Sequence, residues 1–279
     1  SGSWFPKGGV SPVHRESART PRLVGLLAVL AGLSIVFPIV ALAWATPWSG
    51  LADLAAAPEN RTAGFLSLVT ATLACLISTA LGLTLALKLA RSSGPLTALL
   101  RALVLVPLVL PPVVSGIALL LAYGRQSLLA PLLESAGIRV VFTTSAVVIA
   151  QVFVSLPFVV LTLESAFRAR GFAEERTAAS LGARPMRVFR TVTIPRFTPS
   201  ILIAATLAFA RSLGEFGATL TFAGSLAGLT RTLPLQIYLA REGDIADAVG
   251  LSIILVIFSL VVVSLAYARG PLRREADAR

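Results

Sequence analysis

The sequence predicts an all-α integral membrane protein with six transmembrane helices. Three observations lead to this prediction. Of the 279 residues, 56% are hydrophobic and only 13% are charged, which is too apolar for an ordinary soluble domain. Six apolar runs are each long enough to cross a bilayer, for which about 20 residues suffice. Lysine and arginine residues are concentrated in alternate connecting segments, as the positive-inside rule describes.

Polar segments separate the predicted spans. The transmembrane domain is predicted to cover residues 23–268, between an amino-terminal tail at residues 1–22 and a charged tail at residues 269–279. Its six spans are placed at about residues 23–45, 62–87, 102–123, 144–163, 199–224 and 246–267. Trp44 and Trp48 follow the first span, at the interface that amphipathic rings prefer.

Three prolines fall inside the third span: Pro107, Pro111 and Pro112. A proline within a helix leaves a backbone carbonyl without its donor, and in lipid that carbonyl needs a neighbouring helix or a water-lined cavity. We therefore expect a kinked helix at the heart of the bundle. The alternative is a bent helix with a packing role only, because proline is frequent in membrane helices.

The distribution of basic residues predicts the orientation. With the amino terminus inside, 18 of the 24 lysine and arginine residues fall in cytoplasmic segments, five fall in outer loops, and Arg211 lies within a span. Both termini are therefore predicted to be cytoplasmic in a multi-pass protein of the cytoplasmic (inner) membrane.

Several kinds of chemistry are excluded by composition. Cys75 is the only cysteine and His14 the only histidine, so an internal disulfide, a thiolate metal cluster and a histidine dyad are ruled out. No phosphate-binding GxxxxGKS or GxxxxGKT loop is present. The net charge of +11 does not form a basic domain with interleaved aromatic residues, so nucleic acid is not expected as a partner. We predict no catalytic residue, metal site or cofactor on this chain.

One long polar segment lies between two apolar ones, at residues 172–195. It combines helix-forming residues with Gly182, which can supply a helix C-terminal turn, and Pro185, which can occupy the first turn of the next helix. The pattern predicts two short helices lying crosswise between two spans. An amphipathic loop resting on lipid headgroups is the alternative. Three arginines at every third position lie close together on a helix and can meet anionic lipid: Arg184, Arg187 and Arg190.

A pair of charges stands inside the fifth span. Arg211 is predicted to lie about 18 Å into the membrane, near the midplane, and Glu215 follows four residues later on the same helix face. Each charge costs about 2.5 to 3.5 kcal/mol at the centre of a span, so both are expected to face the bundle interior. They are either an internal ion pair that holds helices together or part of a pathway or gate. Gly214, Gly217 and Thr219 permit close backbone approach in either case.

The segment at residues 172–195 resembles the cytoplasmic coupling loop of ABC importer permeases. That pattern reads Glu-Ala-Ala, a glycine shortly after, then an aliphatic residue, a spacer and Leu-Pro, and the sequence from Gly182 to Pro195 fits its second half. The first half departs from it, since Arg176 and Thr177 stand where the alanine pair begins and Glu175 precedes Gly182 by seven residues instead of six. The resemblance implies an ATPase-docking role for Glu174, Glu175, Ala178, Ala179, Gly182, Ala183 and Pro185.

Three further stretches resemble the permease subunits of molybdate importers: GEFGATLTFAG, TRTLPLQIY and PLVLPPVVSGIALLLAYGR, within a match over about residues 62–266. The resemblance implies a type I ABC importer permease fold, a homodimer of this chain, two copies of an ATP-binding subunit that carries ATP and Mg, and an extracytoplasmic oxyanion-binding protein. Matching motif positions imply a translocation pathway at Arg211, Ser212, Glu215, Thr219 and Thr221.

The predicted function is passage of molybdate across the membrane, driven by a separate ATPase subunit, so that this chain is not an enzyme. A sulfate, thiosulfate or tungstate permease is the alternative, because ARSLGEFG alone is similar to sulfate and thiosulfate permeases as well. A membrane enzyme or a standalone secondary transporter, with Arg211 and Glu215 relaying protons, is a third hypothesis. Selectivity among the oxyanions does not follow from these residues.

Overall fold

The computed structural model of the chain describes residues 21–127 and 129–268. In this part the chain forms helices, joined by a 3₁₀ turn at Trp48–Gly50 and a π turn at Phe189–Thr193, and no strand. The helices are α1 Arg22–Ala45, α2 Leu51–Ala56, α3 Pro58–Arg91, α4 Pro95–Val109, α5 Pro112–Tyr123, α6 Ala130–Ser135, α7 Thr144–Arg170, α8 Ala173–Ser180, α9 Pro185–Val188, α10 Ile194–Leu213, α11 Gly217–Ala223, α12 Leu233–Gly243 and α13 Ile245–Ala268. Apart from Pro21 and Arg22, the two predicted tails lie outside the described residues.

The long helices agree with the predicted all-α membrane fold. Within the described ranges, five helical stretches are long and apolar enough to cross a membrane, and six if the bent pair α4 and α5 counts as one span. The stretch Pro185–Leu213 is one of the five, because α9, the π turn and α10 follow each other without a gap. Counting the bent pair as one span gives the predicted number of six.

The chain divides into two compact units, one ending at Trp44 and one beginning at Ala45. The described part of the first unit is α1, which contains Pro38 and buries none of its side chains. An apolar helix whose side chains are exposed all round is suited to a lipid environment. The second unit contains every other helix.

Helix α7 lies at the centre of the second unit and packs against α3, α4, α10 and α11. Two apolar clusters form along it. The first joins α3, α7 and α10 through Ala86, Leu89, Val159, Val160, Leu163, Phe167, Phe197, Ala204 and Ala208. The second joins α5, the segment before α7, α7 and α11 through Leu119, Val140, Ala146, Val147, Ala150, Val154, Ala218, Phe222 and Ala223.

Small residues allow α3 and α7 to approach closely, as is common between membrane helices. A Cβ atom at Gly82 would lie 2.6 Å from Cγ1 of Val159, so only glycine fits at this crossing. Nearby, the hydroxyl groups of Ser78 and Ser155 form a buried hydrogen bond of 2.7 Å between the two helices. Together these contacts fix the register of α3 against the central helix.

The third predicted span is broken, where the sequence suggested a kink. Helix α4 ends at Val109, α5 begins at Pro112, and their axes differ by 119°. Neither Pro111 nor Pro112 has an N–H group to continue the hydrogen-bond ladder, and Pro111 forces Leu110 into an extended conformation with ψ of 132°. Two adjacent prolines therefore end the helix instead of bending it.

The fifth predicted span, residues 199–224, is also divided. Helix α10 ends at Leu213 and α11 begins at Gly217. Glu215 lies in this gap, and its Oε1 accepts a hydrogen bond of 2.9 Å from the backbone N–H of Ala218. A carboxylate that satisfies a free N–H group at a helix start stabilises a new helix there. Helix α12, which the sequence analysis did not predict, contains most of the TRTLPLQIY motif.

Candidate functional site

The predicted coupling loop, residues 172–195, folds into the predicted pair of short helices. Gly182 has φ of 82°, its N–H donates to the carbonyl of Ala179, and the N–H of Ala183 donates to the carbonyl of Ala178. This pair of bonds is the Schellman motif, which ends a helix at a residue in the left-handed region. Pro185 then occupies the first turn of α9. The alanines of the loop thus contribute backbone groups to the turn.

The two glutamates of the loop are engaged within the chain. The carboxylate of Glu175 is buried, forms an ion pair with Arg91, and accepts a hydrogen bond of 2.7 Å from the Thr193 hydroxyl. Glu174 is exposed and pairs with Arg196. Their predicted docking role stays a prediction, and the structure adds internal partners for both.

The ends of the coupling loop are held to each other by arginine side chains. Arg196 donates to the carbonyl of Arg170 over 3.0 Å, and Arg170 donates to the carbonyl of Arg196 over 3.1 Å. Both guanidinium groups lie over the ring of Phe197, with centroid distances of 5.5 and 5.9 Å. The loop therefore leaves α7 and enters α10 through one fixed stem.

The tip of the loop is apolar and basic. Leu181 and Met186 are 83% and 60% exposed, which is a large apolar exposure for a loop rich in polar residues. Further residues share this exposed surface: Ala179, Gly182, Arg184, Pro185, Arg187 and Arg190. A compact knob with two apolar side chains among arginines is suited to an apolar cleft with an acidic rim.

A second buried carboxylate lies on α7, at Glu164. Its Oε1 accepts hydrogen bonds from Arg101 of α4 at 2.7 Å and from Arg168 at 2.9 Å. Arg168 also donates to the carbonyl of Leu89 in the last turn of α3, over 3.0 Å. Glu164 is not among the residues predicted from the sequence. The available signal was a lone acidic residue in an apolar run, four positions before an arginine.

The predicted pair of Arg211 and Glu215 is formed. Nη2 of Arg211 lies 2.7 Å from Oε2 of Glu215, and the glutamate is 2% exposed whereas the arginine side chain is 32% exposed. The two charges are in contact, but they do not share one helix face as predicted, because α10 ends at Leu213 and Glu215 lies beyond it. Oε2 of Glu215 thus pairs with Arg211, and Oε1 accepts the hydrogen bond from Ala218 in the first turn of α11.

The other predicted pathway residues occupy two kinds of environment. Ser212 and Thr219 are fully buried, and neither hydroxyl has a hydrogen-bond partner among the described residues. Thr221 is half-buried and donates to the carbonyl of Gly217 over 3.0 Å. Of the five residues, Arg211 and Glu215 are in contact with each other, and Arg211 and Thr221 are the two that are partly exposed.

The break between α4 and α5 lies beside the break between α10 and α11. A Cβ atom at Gly217 would lie 2.5 Å from Cβ of Pro112, so α5 and α11 begin side by side. Farther along, a Cβ atom at Gly116 would lie 2.6 Å from Cβ of Thr221 and 2.9 Å from the carbonyl oxygen of Ala218. The predicted close backbone approach is therefore found at Gly217, whereas Gly214 has ordinary surroundings.

Among the residues that the structure describes, no group of three or more histidine, cysteine, aspartate or glutamate side chains is placed to hold a metal ion. The polar groups near the helix breaks are hydroxyl groups, a neutralised ion pair and backbone amides. The two that are partly exposed, Arg211 and Thr221, can give a charged solute weak, replaceable contacts.

Comparison with known proteins gives consistent matches. A model of the family described as binding-protein-dependent transport system inner membrane component matches residues 78–270. The chain is 50% identical over 252 residues to the molybdenum transport system permease protein ModB of Mycobacterium tuberculosis, covering 90% of this chain and 96% of that one. It is 34% identical over 216 residues to the sulfate transport system permease protein CysW of Synechococcus elongatus, covering 76% of each.

A solved structure supports the fold. A chain of a bacterial alginate ABC transporter, in complex with an alginate pentasaccharide-bound periplasmic protein, matches with a TM-score of 0.70 and 17% sequence identity. The match covers 88% of this chain and 91% of that one. At this identity the similarity shows the fold alone.

Proposed function

The chain belongs to the family of binding-protein-dependent transport system inner membrane components, and from this membership we propose that it is the transmembrane permease subunit of an ATP-driven molybdate importer. Its fold is that of a type I ABC importer permease. The observation that carries the cargo assignment is the 50% identity to a molybdenum permease over 90% of the chain. The chain is not itself an enzyme, because hydrolysis of ATP belongs to a separate subunit.

The proposed assembly contains two copies of this chain, two ATPase subunits and an extracytoplasmic oxyanion-binding protein. Both termini and the coupling loop are proposed to face the cytoplasm, since most lysine and arginine residues lie in those segments. ATP and Mg belong to the ATPase subunit, and the permease has no cofactor of its own.

The ATPase subunit is proposed to dock on the exposed tip of the coupling loop. Leu181 and Met186 provide apolar contact area there, and the surrounding arginines favour a partner with acidic residues around its cleft. Glu174, Ala178, Ala179, Ala183 and Pro185 build the tip that carries these side chains. A rigid knob of this kind transmits rigid-body motion to the helices that it joins.

Replacing Gly182 with valine is expected to impair uptake strongly, whereas Gly182→Asn should be tolerated. No atom lies within 4 Å of an added Cβ, so the effect arises from φ of 82°, which costs a β-branched residue roughly 1 to 2 kcal/mol. Asparagine adopts this conformation more readily. Uptake and co-purification of the ATPase subunit measure the effect, and equal activity of the two variants would contradict the role of this turn.

Cargo is proposed to pass between two copies of the chain, beside the two helix breaks. Arg211 and Thr221 are partly exposed there, with Ser212, Glu215 and Thr219 behind them. Because Glu215 neutralises Arg211, an oxyanion meets neither a strong attraction nor a strong repulsion. High affinity is accordingly assigned to the external binding protein, and the permease provides a passage from which the anion is released easily.

Uptake of labelled molybdate at trace concentration tests the function. Cells with the gene are expected to accumulate the label, and cells without it are not. Excess tungstate should block this uptake because it matches molybdate in charge and shape, and excess sulfate should have little effect. If cells without the gene keep their molybdate uptake and lose sulfate uptake, the cargo is sulfate. The similarity to the sulfate permease CysW supports this alternative.

A further inference from the structure

The last turn of α3 is held from two sides by buried carboxylates. On one side, Arg91 pairs with Glu175 of the coupling loop, and its guanidinium group lies 4.8 Å from the ring centroid of Phe172. On the other side, the carbonyl of Leu89 accepts a hydrogen bond from Arg168, which is itself paired with Glu164. The coupling loop and α7 thus meet at one turn of α3.

Helix α4 is connected to the last turn of α3 through Glu164 of α7, which pairs with both Arg101 and Arg168. Arg101 donates to both oxygens of Glu164, with Nε at 3.1 Å from Oε1 and 3.3 Å from Oε2. Helix α4 has no buried residue, and large apolar side chains such as Leu96 and Val109 are 77% and 84% exposed. Its attachment to the central helix combines the packing of partly buried Val104 against the first apolar cluster with this pairing of Arg101 and Glu164.

These contacts form a continuous path. It leads from Glu175 through Arg91 to the last turn of α3, then through Arg168 and Glu164 to Arg101 of α4. Helix α4 leads into α5, which begins beside Gly217. In these pairs the carboxylates are buried and the arginine side chains are 34 to 49% exposed, so each pair adds little to stability and mainly fixes one geometry.

We propose that Arg91 and Glu164 are positioning residues that transmit a displacement of the coupling loop through the last turn of α3 to the broken span α4 and α5. Glu175 acts in this path from inside the chain. The inference rests on the proposed function, since the displacement originates in the ATPase subunit. A purely structural role for these three ion pairs is the alternative, and it predicts a loss of assembled protein without a change in coupling.

The test uses the complete complex of permease, ATPase subunit and binding protein reconstituted in lipid vesicles. Arg91→Gln and Glu164→Gln are compared with Lys88→Gln, a matched control, because Lys88 is an exposed cation one turn from Arg91. Uptake of molybdate, basal ATP hydrolysis, and hydrolysis stimulated by the loaded binding protein are measured on equal amounts of assembled complex.

Both pair variants are expected to raise the ATP consumed per molybdate imported by at least about five-fold, since coupling between sites corresponds to about 5 to 150-fold. Basal hydrolysis and the control should remain at the wild-type level. The exchange Arg91→Glu with Glu175→Arg should restore the ratio, because the Thr193 hydroxyl can also accept a hydrogen bond from arginine.

A pair variant that assembles and keeps the wild-type ratio would overturn the proposal. Loss of assembly in both single variants and in the exchange would identify the pairs as structural and overturn it as well. Absence of molybdate uptake by the wild-type complex would instead count against the proposed cargo. The ATP hydrolysis that the binding protein stimulates would then be compared between the wild type and the pair variants, and equal stimulation would overturn the proposed path.

Discussion

Substituting Gly217 with valine is expected to remove nearly all uptake and to lower the amount of folded protein. Even the Cβ atom of this side chain would lie 2.5 Å from Cβ of Pro112, and a proline ring cannot rotate away. Overpacking of a tight contact costs about 1 to 3 kcal/mol. Because this contact holds the starts of α5 and α11 together, the variant must move one broken helix away from the other.

The matched control for this substitution lies three residues earlier. A Cβ atom at Gly214 would be 3.7 Å from the carbonyl oxygen of Ala210, which is an ordinary contact, and the φ of Gly214 is −88°. Gly214→Ala should retain most of the uptake, and Gly217→Ala should already show a clear loss. Protein level in the membrane and uptake per amount of protein separate misfolding from altered passage. Similar behaviour of the two alanine variants would refute the importance of the close contact.

Reversal of the charge at Arg211 is expected to have a similarly large effect. Arg211→Glu places a second carboxylate beside Glu215, which is 2% exposed and has lost its counter-charge. Breaking a buried ion pair costs about 3 to 5 kcal/mol, and two like charges add to that cost. We expect a severe loss of folded protein, measured by membrane level and detergent-solubilised yield.

The exchange of both residues tests whether they act as a pair. Arg211→Glu with Glu215→Arg restores opposite charges, so protein level should recover. Recovery should be partial, because arginine at position 215 cannot accept the hydrogen bond that Ala218 donates to the native glutamate. Loss of such a cap costs about 0.5 to 2 kcal/mol. If the exchange recovers no protein at all, the two side chains depend on separate partners.

Neutral variants separate the two functions of Glu215. Glu215→Gln keeps an oxygen that can accept the bond from Ala218 and removes the charge, so Arg211 is left without a counter-ion. The double variant with Arg211→Gln and Glu215→Gln has no charged group to bury. It is expected to fold better than Arg211→Glu, and its uptake shows whether the anion needs the arginine.

Local signals in the sequence were sufficient for the long helices and for the loop. Apolar runs predicted the extent of α1 and α13 within a few residues, because length and hydropathy determine a span. The turn at Gly182 was predicted from one glycine and one proline, since a helix C-terminus is specified by neighbouring residues. The cost of charge in lipid and the four-residue spacing predicted that Arg211 and Glu215 lie near each other, with an ion pair as one of two alternatives, and the structure shows their contact.

The remaining features depend on distant parts of the chain. Proline signals a departure from a straight helix, but the angle of 119° between α4 and α5 depends on packing of α5 against α11. The pairing of Glu175 with Arg91 joins residues 84 positions apart, and that of Glu164 with Arg101 joins residues 63 positions apart. No local pattern selects one partner among the arginines near the same membrane face.

The breaks at Leu110–Pro111 and Gly214–Phe216 also determine where the domain is stiff. An unbroken helix resists bending like a rod, since each hydrogen bond of its ladder would have to stretch, whereas a segment lacking those bonds acts as a joint. Because the two joints lie side by side and α5 and α11 are packed together, with the rings of Tyr123 and Phe222 6.1 Å apart, these two half-helices form one stiff block. The second apolar cluster also attaches this block to α7, whereas α4 and α10 leave it along their own axes.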